Sequence, residues 1–268
     1  MSGGLAPAIG LDLLERLEAH AVQAWPPEVV EVLDDGWVLR ATPGLGRGRS
    51  NHALTPPRAV GFSVEDGADD HEDSGHDVDA ALARVFEFAG RHGIQPGIQV
   101  SPLHLQSGLL GELAERGWET GPTVLVMVRD AEPVDSRFRG LEIVVEDHAS
   151  PDWLAAWQLC EPERDVEAHA GTVFELLRGH ARFARFQDRA VGISIESDGL
   201  ACLCCIAVAP DSRGAGLGTA FVGELIGSSD AEITYLQTFE SNLAARALYE
   251  RLGFRDAYQY RHYMLPSD

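Results

Sequence analysis

The sequence contains no lysine: all 21 basic residues are arginine, against 42 aspartates and glutamates, so the formal net charge is -21. A chain so poor in positive charge lacks the basic face that neutralises phosphates, which argues against nucleic-acid binding and against an anionic membrane surface. Its summed field favours a cationic partner instead.

Long hydrophobic runs are also missing. No apolar stretch approaches the roughly 18 residues that a membrane-spanning helix requires. The stretch MSGGLAPAIGLDLLERLEAH has neither a basic start nor an uninterrupted apolar core, so no secretory signal peptide is expected. We therefore expect a cytoplasmic protein.

Cysteine is scarce, with four residues: Cys160, Cys202, Cys204 and Cys205. The last three fall in one predicted strand, where neighbouring side chains point to opposite faces and cannot converge on one tetrahedral metal ion. We interpret them as small buried apolar side chains in a reducing compartment, and no bound metal is expected.

The length of 268 residues suits two domains. A polar, turn-rich stretch over 131–140 is interpreted as a linker between a first domain, 1–130, and a second, 141–268. Helical and strand periodicities alternate in both, which predicts a mixed α/β fold. The segments LAERGW (113–118) and ALYERLGF (247–254) are similar, which suits two copies of one fold.

The chemistry is predicted where an apolar strand over 200–208 gives way to a glycine-rich turn and a helix. Glycine lets the main chain approach a ligand closely, and the first amides of a helix have no partner within it. With the helix dipole they form a cradle for an anion. The predicted cradle consists of Arg213, Gly214, Ala215, Gly216, Leu217, Gly218 and Thr219, with the arginine as a cation at its rim.

Two other phosphate motifs fit this segment less well. A P-loop requires a lysine after its glycines, and the chain has none. A dinucleotide-binding loop requires a last glycine that is absent here, and it opens a β-α-β unit rather than following several strands. An NAD-dependent enzyme is thus a weaker alternative. The similar GLGRGRS over 44–50 leads into polar residues and is interpreted as a plain loop.

The pattern Arg213-x-x-Gly216-x-Gly218 after a strand resembles the acetyl-CoA pyrophosphate loop of the GNAT N-acetyltransferases, and NLAARALYERLGF over 242–254 resembles a later segment of that superfamily. The resemblance covers about 141–265. The first half resembles the degenerate N-terminal copy of tandem GNAT proteins, and we do not expect it to bind the cofactor. The resemblance implies an α+β fold of two GNAT-like domains, each a mixed, mostly antiparallel sheet flanked by helices, with acetyl-CoA as cosubstrate.

The same resemblance implies roles for individual residues. The main chain of Ile206, Ala207 and Val208 would pair with the pantetheine arm and polarise the thioester carbonyl. Tyr249 resembles the general acid of the superfamily, neutral before it protonates the leaving thiolate. Asn242, near a helix start, is interpreted as a cofactor contact, a helix cap or both. Four side chains of this helix are expected to face the core: Leu243, Ala247, Leu248 and Leu252.

The general base is not identified, because the strand over 200–208 carries no acid where relatives would place one. The candidates are Glu196, Glu240 and His180, each with a solvated surface position as the alternative.

Two further groups have open interpretations. The first could bind a metal, although an acidic solvated loop explains it as well: His71, Asp73 and His76. The second either lines an acceptor pocket or packs in the core: Trp153, Trp157, Phe174, Phe183 and Phe186.

We therefore expect an N-acetyltransferase that moves an acetyl group directly from acetyl-CoA to a primary amine of a small-molecule or peptide acceptor, with no nucleic-acid or membrane partner. The alternative is a non-catalytic acyl-CoA sensor or interaction module that keeps the cradle without turnover. We expect a monomer, because the first half would dock where other members dimerise.

Overall fold

The computed structural model describes residues 7–46, 48–57, 78–106 and 108–266. The helices are α1 (Leu11–Ala24), α2 (Gly48–Asn51), α3 (Val78–His92), α4 (Leu109–Glu115), α5 (Pro151–Cys160), α6 (Val166–Ala170), α7 (Val173–Leu176), α8 (Leu217–Gly227) and α9 (Leu243–Arg251). The strands are β1 (Val29–Val32), β2 (Val38–Ala41), β3 (Ala53–Leu54), β4 (Gly97–Val100), β5 (Glu119–Thr120), β6 (Val124–Asp130), β7 (Val144–Glu146), β8 (Ala181–Phe186), β9 (Ala190–Ser197), β10 (Leu200–Val208), β11 (Ile233–Phe239) and β12 (Arg255–Met264). Within these residues, no helix is both long and apolar enough to cross a bilayer.

Unit 1, the first of two compact units, comprises Met1–Glu15, Pro27–Val124 and Tyr258–Asp268. Its strands lie in the order β1-β2-β3-β4-β12, and β5 pairs with β12. β3 runs parallel to β4, and the remaining pairs are antiparallel. The apolar face of α3 packs in one core with Trp37 and Ile98.

Unit 2 comprises Arg16–Pro26 and Leu125–Ala257, and its strands lie in the order β6-β11-β10-β9-β8-β7. The strand β10 is antiparallel to β9 and parallel to β11. One face of this sheet shares a core with α8 and α9, to which Leu203 and Leu236 contribute. Because alternate strand residues point to opposite faces, Cys202 and Tyr235 face away from α8 and α9. Both units are mixed α+β structures with mostly antiparallel sheets, as the resemblance implied.

The compact units are discontinuous in sequence. Unit 2 includes Arg16–Pro26 from the start of the chain, and β12 contributes residues to both units. The division at 130 and 141 stays a prediction.

The stretch over 131–140, interpreted as a linker, is fixed against α8. Glu224, 8% exposed in the middle of that helix, accepts hydrogen bonds from the main-chain amides of Gly140 and Leu141. Its other oxygen accepts from Arg139 Nε at 2.9 Å. A carboxylate with several charge-assisted donors is stable in a buried position, so the polar composition of this stretch reflects anchoring.

The helices α4 and α9 end in the same way. The amide of Trp118 donates to the carbonyl of Leu113, and the amide of Phe254 donates to the carbonyl of Tyr249. The intervening glycines, Gly117 and Gly253, have positive φ of 76° and 87°. This is the Schellman motif, in which a left-handed glycine closes the helix and a following apolar residue returns to the core. The similarity of the two sequence segments thus has a shared local structure behind it.

The predicted core face of α9 is wrong in part. Leu243 is 70% exposed and Ala247 is also exposed, whereas Leu252 is buried and Leu248 is half-buried. The reason is helical geometry: Leu248 and Leu252 lie on one stripe with the buried Tyr249, and at 100° per residue positions 243 and 247 lie on the opposite side.

Candidate functional site

The strand β10 is irregular near its end. Its register with β9 shifts between Cys204 and Ala207, which places Cys205 in a β-bulge with φ of 50°. The parallel pairing with β11 stops earlier, at Leu203 opposite Leu236. Both strands continue past that pair, but they no longer pair with each other, so β10 and β11 diverge there. The main chain over 206–208 lies along one side of this divergence.

The turn after β10 leads into α8 without a side-chain cap. Gly214 and Gly216 adopt φ of 78° and 83°, and no side chain caps the helix at Gly216. In the described part of the chain, the amides from Gly214 to Thr219 donate no hydrogen bond. A Cβ built at Gly214 or Gly216 would meet nothing within 4 Å, so the surface above these amides is open. This geometry suits an anion.

Arg213 differs from the other predicted cradle residues. Its amide donates to the carbonyl of Pro210, so this N–H is not available to a ligand. Its guanidinium donates from Nε to the Val208 carbonyl at 2.8 Å and from Nη2 to the Cys160 carbonyl at 3.2 Å. The side chain therefore holds the turn against the ends of β10 and α5, and its predicted contact with a phosphate stays a prediction.

The helix α9 lies against this turn. A Cβ built at Gly218 would lie 2.9 Å from Leu248 Cδ1 and 3.4 Å from Val208 Cγ2, which brings α8, α9 and the end of β10 together. Asn242 caps α9, its side chain accepting from the amide of Ala245 at 3.2 Å. The cap interpretation is thus confirmed, and the cofactor contact stays a prediction.

Tyr249 lies one residue beyond Leu248 and is 8% exposed. Its ring packs edge-on against Phe254 at 5.8 Å between centroids. Burial raises the pKa of the Tyr249 hydroxyl to about 12, which keeps the phenol neutral at every physiological pH. A neutral phenol can donate a proton, and the role of Tyr249 as the general acid stays a prediction.

None of the three candidate bases is buried at this site. Glu196 pairs with Arg182 at 3.3 Å and accepts from Ser194, so it belongs to a surface network. Glu240 and His180 are exposed.

The aromatic residues that were considered for an acceptor pocket or for the core pack mostly in the core. Trp153, Phe174 and Phe183 are at most 2% exposed and contact one another, and Trp153 Nε1 donates to the Ala184 carbonyl at 2.9 Å. Phe186 packs partly buried against the core shared with α8.

The cysteines follow the prediction in part. Cys160 and Cys202 are buried, whereas Cys204 and Cys205 are half-buried. Burial raises the pKa of the Cys160 thiol to about 11, which makes it unreactive at neutral pH. The histidines and aspartate considered as metal ligands, His71, Asp73 and His76, lie outside the described residues.

One pair of residues was missed by the sequence reasoning. His20 on α1 and Tyr235 on β11, both buried, are joined by a 2.8 Å hydrogen bond between His20 Nδ1 and the phenol hydroxyl. The available signal was the position of His20 three residues after Leu17, on the apolar side of an amphipathic helix.

The family of the chain follows from its match to a family model. The family model described as "Probable histone acetyltransferase Rv0428c C-terminal" matches residues 14–263, nearly the whole chain. The chain belongs to this family. It is accordingly a member of the GNAT acetyltransferase superfamily, as the motifs in the second half implied.

Solved GNAT structures share the fold. A GCN5-related N-acetyltransferase from Kribbella flavida matches with a TM-score of 0.63 at 15% identity, over 97% of this chain and 98% of that one. A tandem GNAT protein from the clavulanic acid biosynthesis pathway matches with a TM-score of 0.58 at 15% identity, over 100% and 92%. A GCN5-related N-acetyltransferase from Sphaerobacter thermophilus matches with a TM-score of 0.53 at 16% identity, over 71% and 68%. At these identities the likeness establishes the fold alone.

Proposed function

We propose that the chain is an acetyl-CoA-dependent N-acetyltransferase that transfers the acetyl group directly to a primary amine. Membership of the GNAT superfamily gives acetyl transfer in general. The observation that supports the cosubstrate is the run of amides from Gly214 to Thr219, open and without protein acceptors, beside the divergence of β10 and β11.

These amides can hold a diphosphate in spite of the net charge of -21. Hydrogen bonds to a charged group contribute about 1.5–3 kcal/mol each. Carboxylates farther than about 8 Å away are screened at physiological salt. Several converging amides therefore outweigh the diffuse repulsion of the distant acids.

The proposed reaction follows from this placement. With the diphosphate on the cradle, the pantetheine arm extends along residues 206–208 and the thioester lies at the divergence. The neutral amine nitrogen attacks the thioester carbonyl, the C–S bond breaks, and Tyr249 gives its proton to the departing sulfur. The proton that the new amide nitrogen loses returns to Tyr249. The raised pKa of Tyr249 does not prevent this step, because a thiolate leaving into the same poorly solvated site has a raised pKa as well.

The acceptor in this proposal is a cationic small molecule or peptide amine, since the acidic surface concentrates cations. Nucleic acids and membranes are not part of it. We also propose that the protein is a cytoplasmic monomer and that its first half does not bind the cofactor. A stable dimer in a solution mass measurement would count against the monomer.

A thiol-release assay with acetyl-CoA against a panel of amines tests the function, with thermal unfolding as the binding assay. Acetyl-CoA should raise the melting temperature and NAD should not. Amine-dependent thiol release supports the transferase. Binding without release by any amine identifies the non-catalytic acyl-CoA sensor instead, and a melting temperature that responds only to NAD overturns both.

A further inference from the structure

A buried histidine occupies the side of the sheet opposite α8 and α9. His20 is 4% exposed, and its ring lies edge-on to Tyr235 at 5.5 Å between centroids, with the hydrogen bond through Nδ1. In the part of the chain that the structure describes, the other ring nitrogen, Nε2, has no hydrogen-bond partner. Because nearly all buried polar atoms are paired, this nitrogen is a position where a substrate group or a water molecule is expected to bind.

The position of the pair connects it to the reaction. Tyr235 is one residue before Leu236, the last residue of β11 that pairs with β10. Its side chain points away from α8 and α9, whereas Tyr249 packs on the side of those helices. His20, bonded to Tyr235, and Tyr249 therefore lie on opposite sides of the sheet, and Tyr235 lies one residue before the pairing of β10 with β11 ends.

The same side holds other buried polar atoms without partners among the described residues. Trp25, just after α1, and Trp157, on α5, each have a buried indole Nε1 of this kind. Both rings contact Phe174. These two N–H donors, which lie against the same phenylalanine, can bind the polar groups of a substrate or the water that accompanies it.

We propose that His20 accepts a proton from the acceptor amine. This inference rests on the proposed acetyl transfer. An ammonium group gives one proton to His20 Nε2, directly or through one water molecule. The free amine forms a bond to the thioester carbon while the C–S bond breaks and its electron pair leaves with sulfur. The sulfur takes the Tyr249 proton, and the second amine proton returns to Tyr249. The products are the acetylated amine, the CoA thiol and an imidazolium.

Tyr235 has a positioning role in this scheme. When its oxygen accepts a hydrogen bond from Nδ1–H of His20, the lone pair of the imidazole is on Nε2. Burial lowers the pKa of His20, and the charge of Asp198 opposes this only in part, so the ring is neutral at neutral pH.

The test uses two acceptors that differ in their own protonation: a primary alkylamine, which is an ammonium at neutral pH, and an alkoxyamine, which is already neutral. In His20→Asn, turnover of the alkylamine should fall about 100-fold or more, the range expected for loss of general-base catalysis. Turnover of the alkoxyamine should fall much less, and the rise in melting temperature with acetyl-CoA should be retained.

Two variants keep the result decisive. Tyr235→Phe retains the ring and removes only the hydroxyl, so it should show the same selective loss to a smaller extent, and it decides the matter if His20→Asn does not fold. His104 in unit 1, similarly buried but bonded to the carbonyl of Thr55, is the matched control, and His104→Asn should affect both acceptors alike.

Equal losses with both acceptors in a folded His20 variant would show a merely structural role and overturn the inference, and unchanged turnover would do the same. Failure of the unmodified protein to bind acetyl-CoA, or to acetylate any amine, would instead overturn the proposed function and the inference with it.

Discussion

Gly218 on α8 and Leu248 on α9 approach so closely that a Cβ at position 218 would lie 2.9 Å from Leu248 Cδ1. The contact joins the helix that carries the open amides to the helix that carries Tyr249. On its other side the same glycine adjoins Val208, at the end of β10. The spacing between the proposed diphosphate site and the proposed acid thus depends on the absence of a side chain at one position.

A valine at position 218 should push α9 away. We expect Gly218→Val to lower the free energy of unfolding by about 1–3 kcal/mol, the usual cost of overpacking, and to weaken acetyl-CoA binding. Urea unfolding and the acetyl-CoA-induced shift in melting temperature measure the two effects. The double variant with Leu248→Ala should regain part of both, since it removes the obstructing methyl group. A Gly218→Val protein as stable as the unmodified one would show that the helices are not in contact.

The open glycine of the cradle has a matched counterpart in unit 1. Gly216 and Gly44 have φ of 83° and 85°, and neither has an atom within 4 Å of a built Cβ. Tryptophan at either position costs the same backbone strain, about 1–2 kcal/mol. We expect Gly216→Trp to abolish the acetyl-CoA-induced rise in melting temperature because the indole covers the amides, while Gly44→Trp retains it. Equal loss in both variants would remove the cradle from cofactor binding.

The sequence was sufficient to locate the glycine turn before α8 and most elements around it. Glycine spacing after an apolar strand locates the amides, because positive φ at Gly214 and Gly216 and the start of α8 are local consequences of the residues themselves. The helical spacing of Leu11, Leu14 and Leu17 before two prolines predicts a helix over 11–24, and α1 has these bounds. The residue pattern also predicts one helix over 168–177, whereas the structure has two short helices there, α6 and α7.

What the sequence did not predict depends on residues distant along the chain. Tyr235 is separated from His20 by 215 positions, and no periodicity within either segment indicates that they pair. The anchoring of Arg139 on Glu224 is of the same kind, because a polar stretch and a helix interior each look unremarkable alone. The hydrogen bond from the Arg213 guanidinium to the carbonyl of Cys160, which is distant in sequence, was likewise not predictable.

Removing the hydroxyl of Tyr249 should separate catalysis from binding. We expect Tyr249→Phe to lower kcat by about 10²–10⁴-fold, the usual contribution of a general acid, with little change in the KM for acetyl-CoA. The buried ring is retained, so the contact with Phe254 and the stability should change little. Steady-state thiol release measures both constants. Unchanged kcat would exclude Tyr249 as the proton donor.

The buried histidine pair of unit 1 should make the protein sensitive to acid. Nδ1 of His52 and Nδ1 of His262 lie 2.9 Å apart. Burial, and then the charge of Arg40, lowers the pKa of His52 to about 4, and burial lowers the pKa of His262 in the same direction, with further effects from His52, Arg40 and Arg49. Both imidazoles are therefore neutral in the folded state at pH 7.

The sign of the pH dependence follows from proton uptake. Between pH 6.5 and about 4 an unfolded chain protonates its histidines, while folded His52 stays neutral, so the free energy of unfolding falls as the pH falls. A shift of this size corresponds to about 3 kcal/mol for His52. In His52→Gln this contribution is absent, so the difference in stability between the unmodified protein and the variant should shrink by about that amount from pH 7 to pH 4. Urea unfolding at several pH values measures it, and a difference that stays constant would show that folding does not lower the pKa of His52.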